Sequence, residues 1–137
     1  MDSAADADSD ASVSLSQVAW IAAVGDVAAF TAIGWILFED AVFGLAIGVL
    51  VGAGIGLFLH WMDAPEADVE GPTPARGGRN LGAAGAALTT GGIVAFALRF
   101  ALPGEPLLAL AAGVVLAAIE YVVLSQVLPA RTAAEAG

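Results

Sequence analysis

Residues 43–60 read FGLAIGVLVGAGIGLFLH, with Gly44, Gly48, Gly52 and Gly56 at a strict four-residue interval and Gly54 inside VGAGIG. Glycine runs serve two different chemistries. A dinucleotide loop needs G-x-G-x-x-G between a strand and a helix, and a phosphate loop of the Walker type needs a following Lys-Ser/Thr. This run has neither the spacing nor a lysine, and it lies in the middle of the apolar stretch 41–62. Backbone amides in such a stretch are consumed by helical hydrogen bonds and are not free to hold phosphate. The other chemistry fits. Four-residue spacing puts small residues along one helix face, where a second backbone can approach closely. The segment reads as a transmembrane helix whose packing stripe is Gly44, Gly48, Gly52 and Gly56. Gly82, Ala83, Ala86, Ala87 and Gly91 offer a matching small surface on a later segment, so the stripe is expected to pack there, within the chain.

The rest of the chain repeats the pattern. Of 137 residues, 59% are apolar and 13% charged, and the mean hydropathy is +0.88; soluble domains are nearer a quarter charged. The apolar residues fall into four runs, 18–38, 41–62, 81–102 and 106–128. About 20 helical residues cross a hydrocarbon core of about 30 Å. The expected fold is therefore an all-α integral membrane protein of four transmembrane helices arranged as two hairpins. A disordered acidic tail (1–17), a flexible Pro/Gly-rich linker (63–80) and a short C-terminal tail (129–137) complete the chain. Because the first run follows an acidic tail rather than a positive n-region, it does not read as a cleavable signal. Laying residues 25–59 over 91–125 pairs Gly25 with Gly91, Phe30 with Phe96, Glu39 with Glu105 and Leu50 with Leu116, among others. A parallel internal repeat is a possible source of these identities.

Charge bounds the partners. The formal net charge is −10, with no lysine and four arginines. An acidic, lysine-free, alanine-rich chain resembles the proteins of extreme halophiles, here an archaeal source, where molar salt shortens the Debye length to about 3 Å and crowded carboxylates barely repel. Nucleic acid is excluded as a partner for such a surface. The lipid bilayer is the first partner, and a homo-oligomer or a larger membrane complex the second. With no cysteine and a single histidine, His60, the chain has no resident set of metal or haem ligands, and no cofactor is expected. Arg76, Arg79 and Arg131 all lie on the side of the linker and termini, so the positive-inside rule puts both termini in the cytoplasm of a cell-membrane protein.

Three ionisable residues fall inside the runs. Asp26 and Glu120 each lie about 12 Å from the terminal ends of their helices at 1.5 Å per residue, and Thr89, Thr90 and Gly54 count to the same level. Such a buried polar layer has two uses. Protonated acids and hydroxyls can knit helices together; alternatively, two carboxylates that cannot both ionise cheaply can bind a proton or a cation. Arg99, near the outer interface, is expected to snorkel or to pair with Glu39, Asp40 or Glu105. Four short helices with an acid midway along the first, Asp26 in AAVGDVAAFTAIGW, resemble the small multidrug-resistance transporters. That resemblance implies a carboxylate alternating between protons and cations. The acid there is Glu, however, and that family has no counterpart of Glu120. Two readings follow. The one adopted, on base rates, is a non-enzymatic structural or accessory membrane subunit. Its alternative is a small oligomeric proton- or cation-coupled transporter or channel working through Asp26 and Glu120.

Overall fold

The computed structural model describes residues 13–64 and 80–129. Within them lie four helices: α1 (Leu15–Phe38), α2 (Ala41–Asp63), α3 (Leu81–Ala101) and α4 (Pro106–Val127). Each is long and apolar enough to cross a membrane. The protein is thus an all-helical bundle of the multi-pass membrane type. The expected N-terminal tail, linker and C-terminal tail fall mostly at residues 1–12, 65–79 and 130–137, outside the described residues.

Helix ends follow local chemistry. α1 starts three residues before the apolar run, because Ser14 and Gln17 form a capping box: the Ser14 hydroxyl accepts from the Gln17 amide, and the Gln17 side chain accepts from the Ser14 amide. Such a box satisfies two of the amide groups that a helix start leaves unpaired. Glu39 ends α1 in the left-handed region at φ 54°, a conformation that glycine adopts at far lower cost. Asp40 then caps α2, its Oδ1 accepting from the Phe43 amide at 2.9 Å. Between α3 and α4 the left-handed position falls on Gly104, and Pro106 opens α4, where a missing amide hydrogen costs nothing.

Packing is sequential. α1 lies against α2, α2 against α3 and α3 against α4, whereas α1 and α4 form no packed pair. Faces are chosen by size rather than polarity, since helices that are apolar all round have no polar side to turn outward. Trp20, Trp35, Ile36, Val42, Leu107 and Val127 point outward, while the buried positions are mostly Gly and Ala. That inversion suits a bilayer: lipid solvates large apolar side chains as well as a protein interior does, and small residues let backbones touch. One cluster of larger side chains, Phe43, Ile47 and Val51 of α2 with Ala95 and Ala109, forms a conventional core near the two tight turns.

The glycine stripe of α2 rests on α1. A Cβ on Gly48 would stand 2.7 Å from the Val27 Cα, one on Gly52 2.6 Å from the Ala23 oxygen, and one on Gly44 2.9 Å from the Gly34 Cα. The small surface of α3 that the sequence offered is used by a different face of α2. Gly54 backs onto Thr89 and Gly85, and a Cβ on Gly85 would stand 2.5 Å from the Phe58 nitrogen. α2 therefore carries two side-chain-free faces, one for each neighbour.

Candidate functional site

The chemistry-bearing residues within the spans are Asp26, Thr89, Thr90, Glu120 and Arg99, and glycine contacts set their levels. Gly48 of α2 meets Asp26 and Val27 of α1; Val51 meets Gly92 of α3; Gly113 of α4 meets Gly91 and Ala95. Followed across the bundle, the level of Asp26 reaches α4 near Gly113. Glu120 lies about 10 Å farther along α4 at 1.5 Å per residue. The two acids also stand on α1 and α4, helices that do not pack together. Asp26 and Glu120 are not brought into one layer. Equal counts from the ends of the apolar runs put them level; the registers that the glycines impose do not.

Two of the expected residues do meet. A Cβ on Gly54 would collide with the Thr89 side chain and come within 2.6 Å of its amide nitrogen, so the absent side chain at Gly54 is what lets α3 lie on α2 at Thr89. The Thr89 hydroxyl is already engaged, donating to the Gly85 carbonyl at 2.9 Å, and Thr31 of α1 does the same to Val27 at 2.6 Å. Bonds of this kind satisfy a hydroxyl inside its own helix. Thr90 and Glu120 are half-buried.

Asp26 differs from all of these. Its Oδ2 is sealed from the surroundings and has no hydrogen-bond partner. An acid at the centre of a membrane helix costs roughly 2.5–3.5 kcal/mol on insertion scales. No hydrogen bond to Oδ2 offsets that cost.

Arg99 forms no ion pair with Glu39, Asp40 or Glu105. Its guanidinium lies over the rings of Phe38, at 5.2 Å, and Phe43, at 5.8 Å, and its Nη1 donates to the Leu102 carbonyl at 3.2 Å. Nε is buried without a partner. Phe38 also stacks edge-on with Phe96 and Phe100, and Phe30 with Phe96. The cation thus binds α3 to the α1–α2 turn through ring faces. Asp40 is occupied in capping α2, which removes one expected counter-ion.

At the opposite end of the bundle, Asn80 and Trp61 make the long-range side-chain bonds among the described residues. Asn80, 4% exposed, caps α3 by accepting from the Ala83 amide and donates its Nδ2 to the Leu128 carbonyl at 2.8 Å. Trp61 donates Nε1 to the Pro129 carbonyl at 3.2 Å, with its ring against Gly82. Asn immediately before an apolar run is a helix-start signal; nothing in the sequence points to its second bond.

Between α3 and α4 a hollow of about 350 Å³ is lined by Leu88, Gly91, Gly113, Ala117 and Tyr121. Neither this hollow nor the larger one between α1 and α2 includes Asp26 or Glu120 in its lining. Among the described residues no group of three or more His, Cys, Asp or Glu side chains comes together to hold a metal ion. No family model, curated protein or solved structure matches the chain.

Proposed function

We propose that this small multi-pass membrane protein has a non-enzymatic role, as a structural or accessory subunit that associates laterally with other membrane helices. The observation that carries this reading is the separation of the two acids onto α1 and α4, which do not pack together. One chain then lacks the paired-carboxyl site that ion coupling would use, and its Thr89 and Thr31 hydroxyls are spent within their own helices. Close contacts through glycine supply the rigidity a subunit needs. Extraction at molar salt in mild detergent followed by sizing tests it. Co-purification in fixed ratio with a larger membrane complex is expected; a clean homo-oligomer counts against it.

Asp26 favours a second reading, a small oligomeric proton- or cation-coupled transporter or channel, because its sealed, unpartnered Oδ2 has no packing rationale. That reading requires Asp26→Asn to abolish proton or cation flux in liposomes while melting is unchanged. The absence of flux in the wild type ends it.

Three further proposals concern arrangement. The helices pair as two hairpins, α1 with α2 and α3 with α4, related by a parallel repeat. The glycine stripe acts as a packing zipper. Both termini face the cytoplasm, as Arg76, Arg79 and Arg131 suggest. The chain has no cysteine, so single cysteines placed near Ser14, Gly104 and Pro129 would report sidedness cleanly by labelling with a membrane-impermeant thiol reagent.

A further inference from the structure

Arg99 is a half-buried cation that forms no ion pair among the described residues. A guanidinium presents five N–H donors in one plane and no acceptor. Here they make one hydrogen bond among the described residues, Nη1 donating to the Leu102 carbonyl at 3.2 Å. Even that oxygen is shared, because the Glu105 amide also donates to it at 3.2 Å. The acids of the two tight turns are engaged elsewhere: Asp40 caps α2, and Glu39 and Glu105 are exposed. Taking a charge out of water costs free energy that an opposite charge or a full set of hydrogen bonds must offset. Arginine is suited to planar, two-pronged pairing with an oxyanion, and among the described residues that pairing is unmade.

The seat of the side chain fixes how a partner from outside the chain would approach. The ring centroids of Phe38 and Phe43 lie 5.2 and 5.8 Å from the guanidinium carbon. Rings in such contacts cover the flat face of the cation and leave its N–H edges to other partners. Of those edges, Nε is sealed, whereas Nη2 is neither sealed nor hydrogen-bonded among the described residues. The open direction is therefore in the plane, at the end formed by Nη1 and Nη2. A neutral carbonyl arriving there would complete a hydrogen bond without meeting the charge, and another cation would be repelled. An oxyanion supplies acceptor and charge together. Depth narrows its identity. Arg99 stands two residues before the end of α3 at Ala101, about 3 Å of helix rise, and its neighbour Phe100 is 59% exposed. That is the level of the headgroups, where phosphate is the abundant oxyanion. Three acids in the adjacent turns, Glu39, Asp40 and Glu105, disfavour a multiply charged ligand and suit a singly charged phosphodiester. We infer that Arg99 is a binding site for one phosphate group, held end-on through Nη1 and Nη2.

Intact-mass measurement tests the site. The full-length chain is reconstituted in an equal mixture of phosphatidylglycerol and a phosphate-free galactosyl diacylglycerol, released into mild detergent and weighed without denaturation. The wild type is expected to retain a phosphatidylglycerol that Arg99→Gln does not, its occupancy falling about tenfold, equivalent to about 1.4 kcal/mol of binding. Arg76, Arg79 and Arg131 are common to both proteins, so the difference belongs to Arg99. Arg99→Lys keeps the charge without the planar fork and should hold an intermediate share; it carries the comparison if thermal melting shows that Arg99→Gln does not fold. Inorganic phosphate added at release separates the two sources of the group. The lipid is expected to stay; its displacement would keep the phosphate site and assign it to the free ion. The inference is overturned if the wild type retains both lipids equally, or if Arg99→Gln and Arg99→Lys keep the wild-type preference. A change in subunit number in Arg99→Gln with lipid preference unchanged points to a carboxylate on a neighbouring helix and overturns it equally.

Discussion

The two halves of the bundle share glycine contacts but differ in what surrounds them. In the half near the tight turns, Phe43, Ile47 and Val51 are buried, and Phe30, Phe38, Phe96, Phe100 and Arg99 gather around them. In the half near the termini every buried residue among those described, except Asn80, is glycine or alanine. The half near the turns adds packed side chains to backbone contacts at Gly34, Gly44 and Gly48; the terminal half relies on backbone contact alone. The first kind of contact tolerates loss badly, because a missing ring leaves a cavity. The second tolerates gain badly, because the obstacle to an added side chain is main chain that cannot swing aside. Within one sequence, then, an added side chain is harmful along the whole bundle, whereas loss of a large one is harmful chiefly near the turns.

The contrast can be broken most directly at Gly85. A Cβ there would stand 2.5 Å from the Phe58 nitrogen and 2.6 Å from the Gly54 oxygen. Gly85→Leu should separate α2 from α3 and cost more than about 4 kcal/mol, beyond ordinary overpacking, read as loss of a cooperative melt in detergent. If Gly85→Leu melts like the wild type, the terminal half is not a backbone contact. Phe43→Ala is the counterpart. Phe43 is 2% exposed, and removing its ring should cost about 3–5 kcal/mol, measured by titration of the folded protein with a denaturing detergent. A cost below that of a typical surface change would dissolve the contrast from the other side. Asn80→Ala removes both a helix cap and the bond to Leu128, and an expected loss of about 1–2 kcal/mol would sharpen the view that the small-residue half needs polar clasps; amide exchange along the first turn of α3 should rise with it. Smallest is Glu39→Gly. Relief of the left-handed backbone at φ 54° should stabilise by up to about 1 kcal/mol, seen as a modest rise in Tm.

Much of the architecture was legible because membrane spans need only length and hydropathy, and four uninterrupted runs supply both. The facing of each helix was not legible. Amphipathicity normally reports it, and these helices are apolar on every side. Residue size is the signal that remains, and on α2 it is ambiguous: Gly44, Gly48 and Gly52 lie on one face and Gly54 on another, so the stripe could be read without its partner. The partner is α1. The levels of Asp26 and Glu120 were misjudged for a related reason. Helix ends are soft, α1 reaching back to Leu15 through its capping box, whereas contacts such as Gly48 on Val27 and Gly91 on Gly113 fix the registers. Of the two expectations for Arg99 the ion pair is not made: Phe38 and Phe43, distant from it in sequence, supply ring faces instead.

Sequential packing has a consequence for how the chain is made. Each helix leans on the one synthesised just before it, so every span finds a partner as soon as it enters the bilayer and none has to wait across the bundle for a late neighbour; such local connectivity favours fast assembly. The exceptions are the α1 rings of Phe30 and Phe38, which meet Phe96, Phe100 and Arg99 of α3, and the side chains of Trp61 and Asn80, whose acceptors, the carbonyls of Pro129 and Leu128, are made after the last helix. These two hydrogen bonds form only once the fourth span is in place, and they act as a latch that closes on the finished protein.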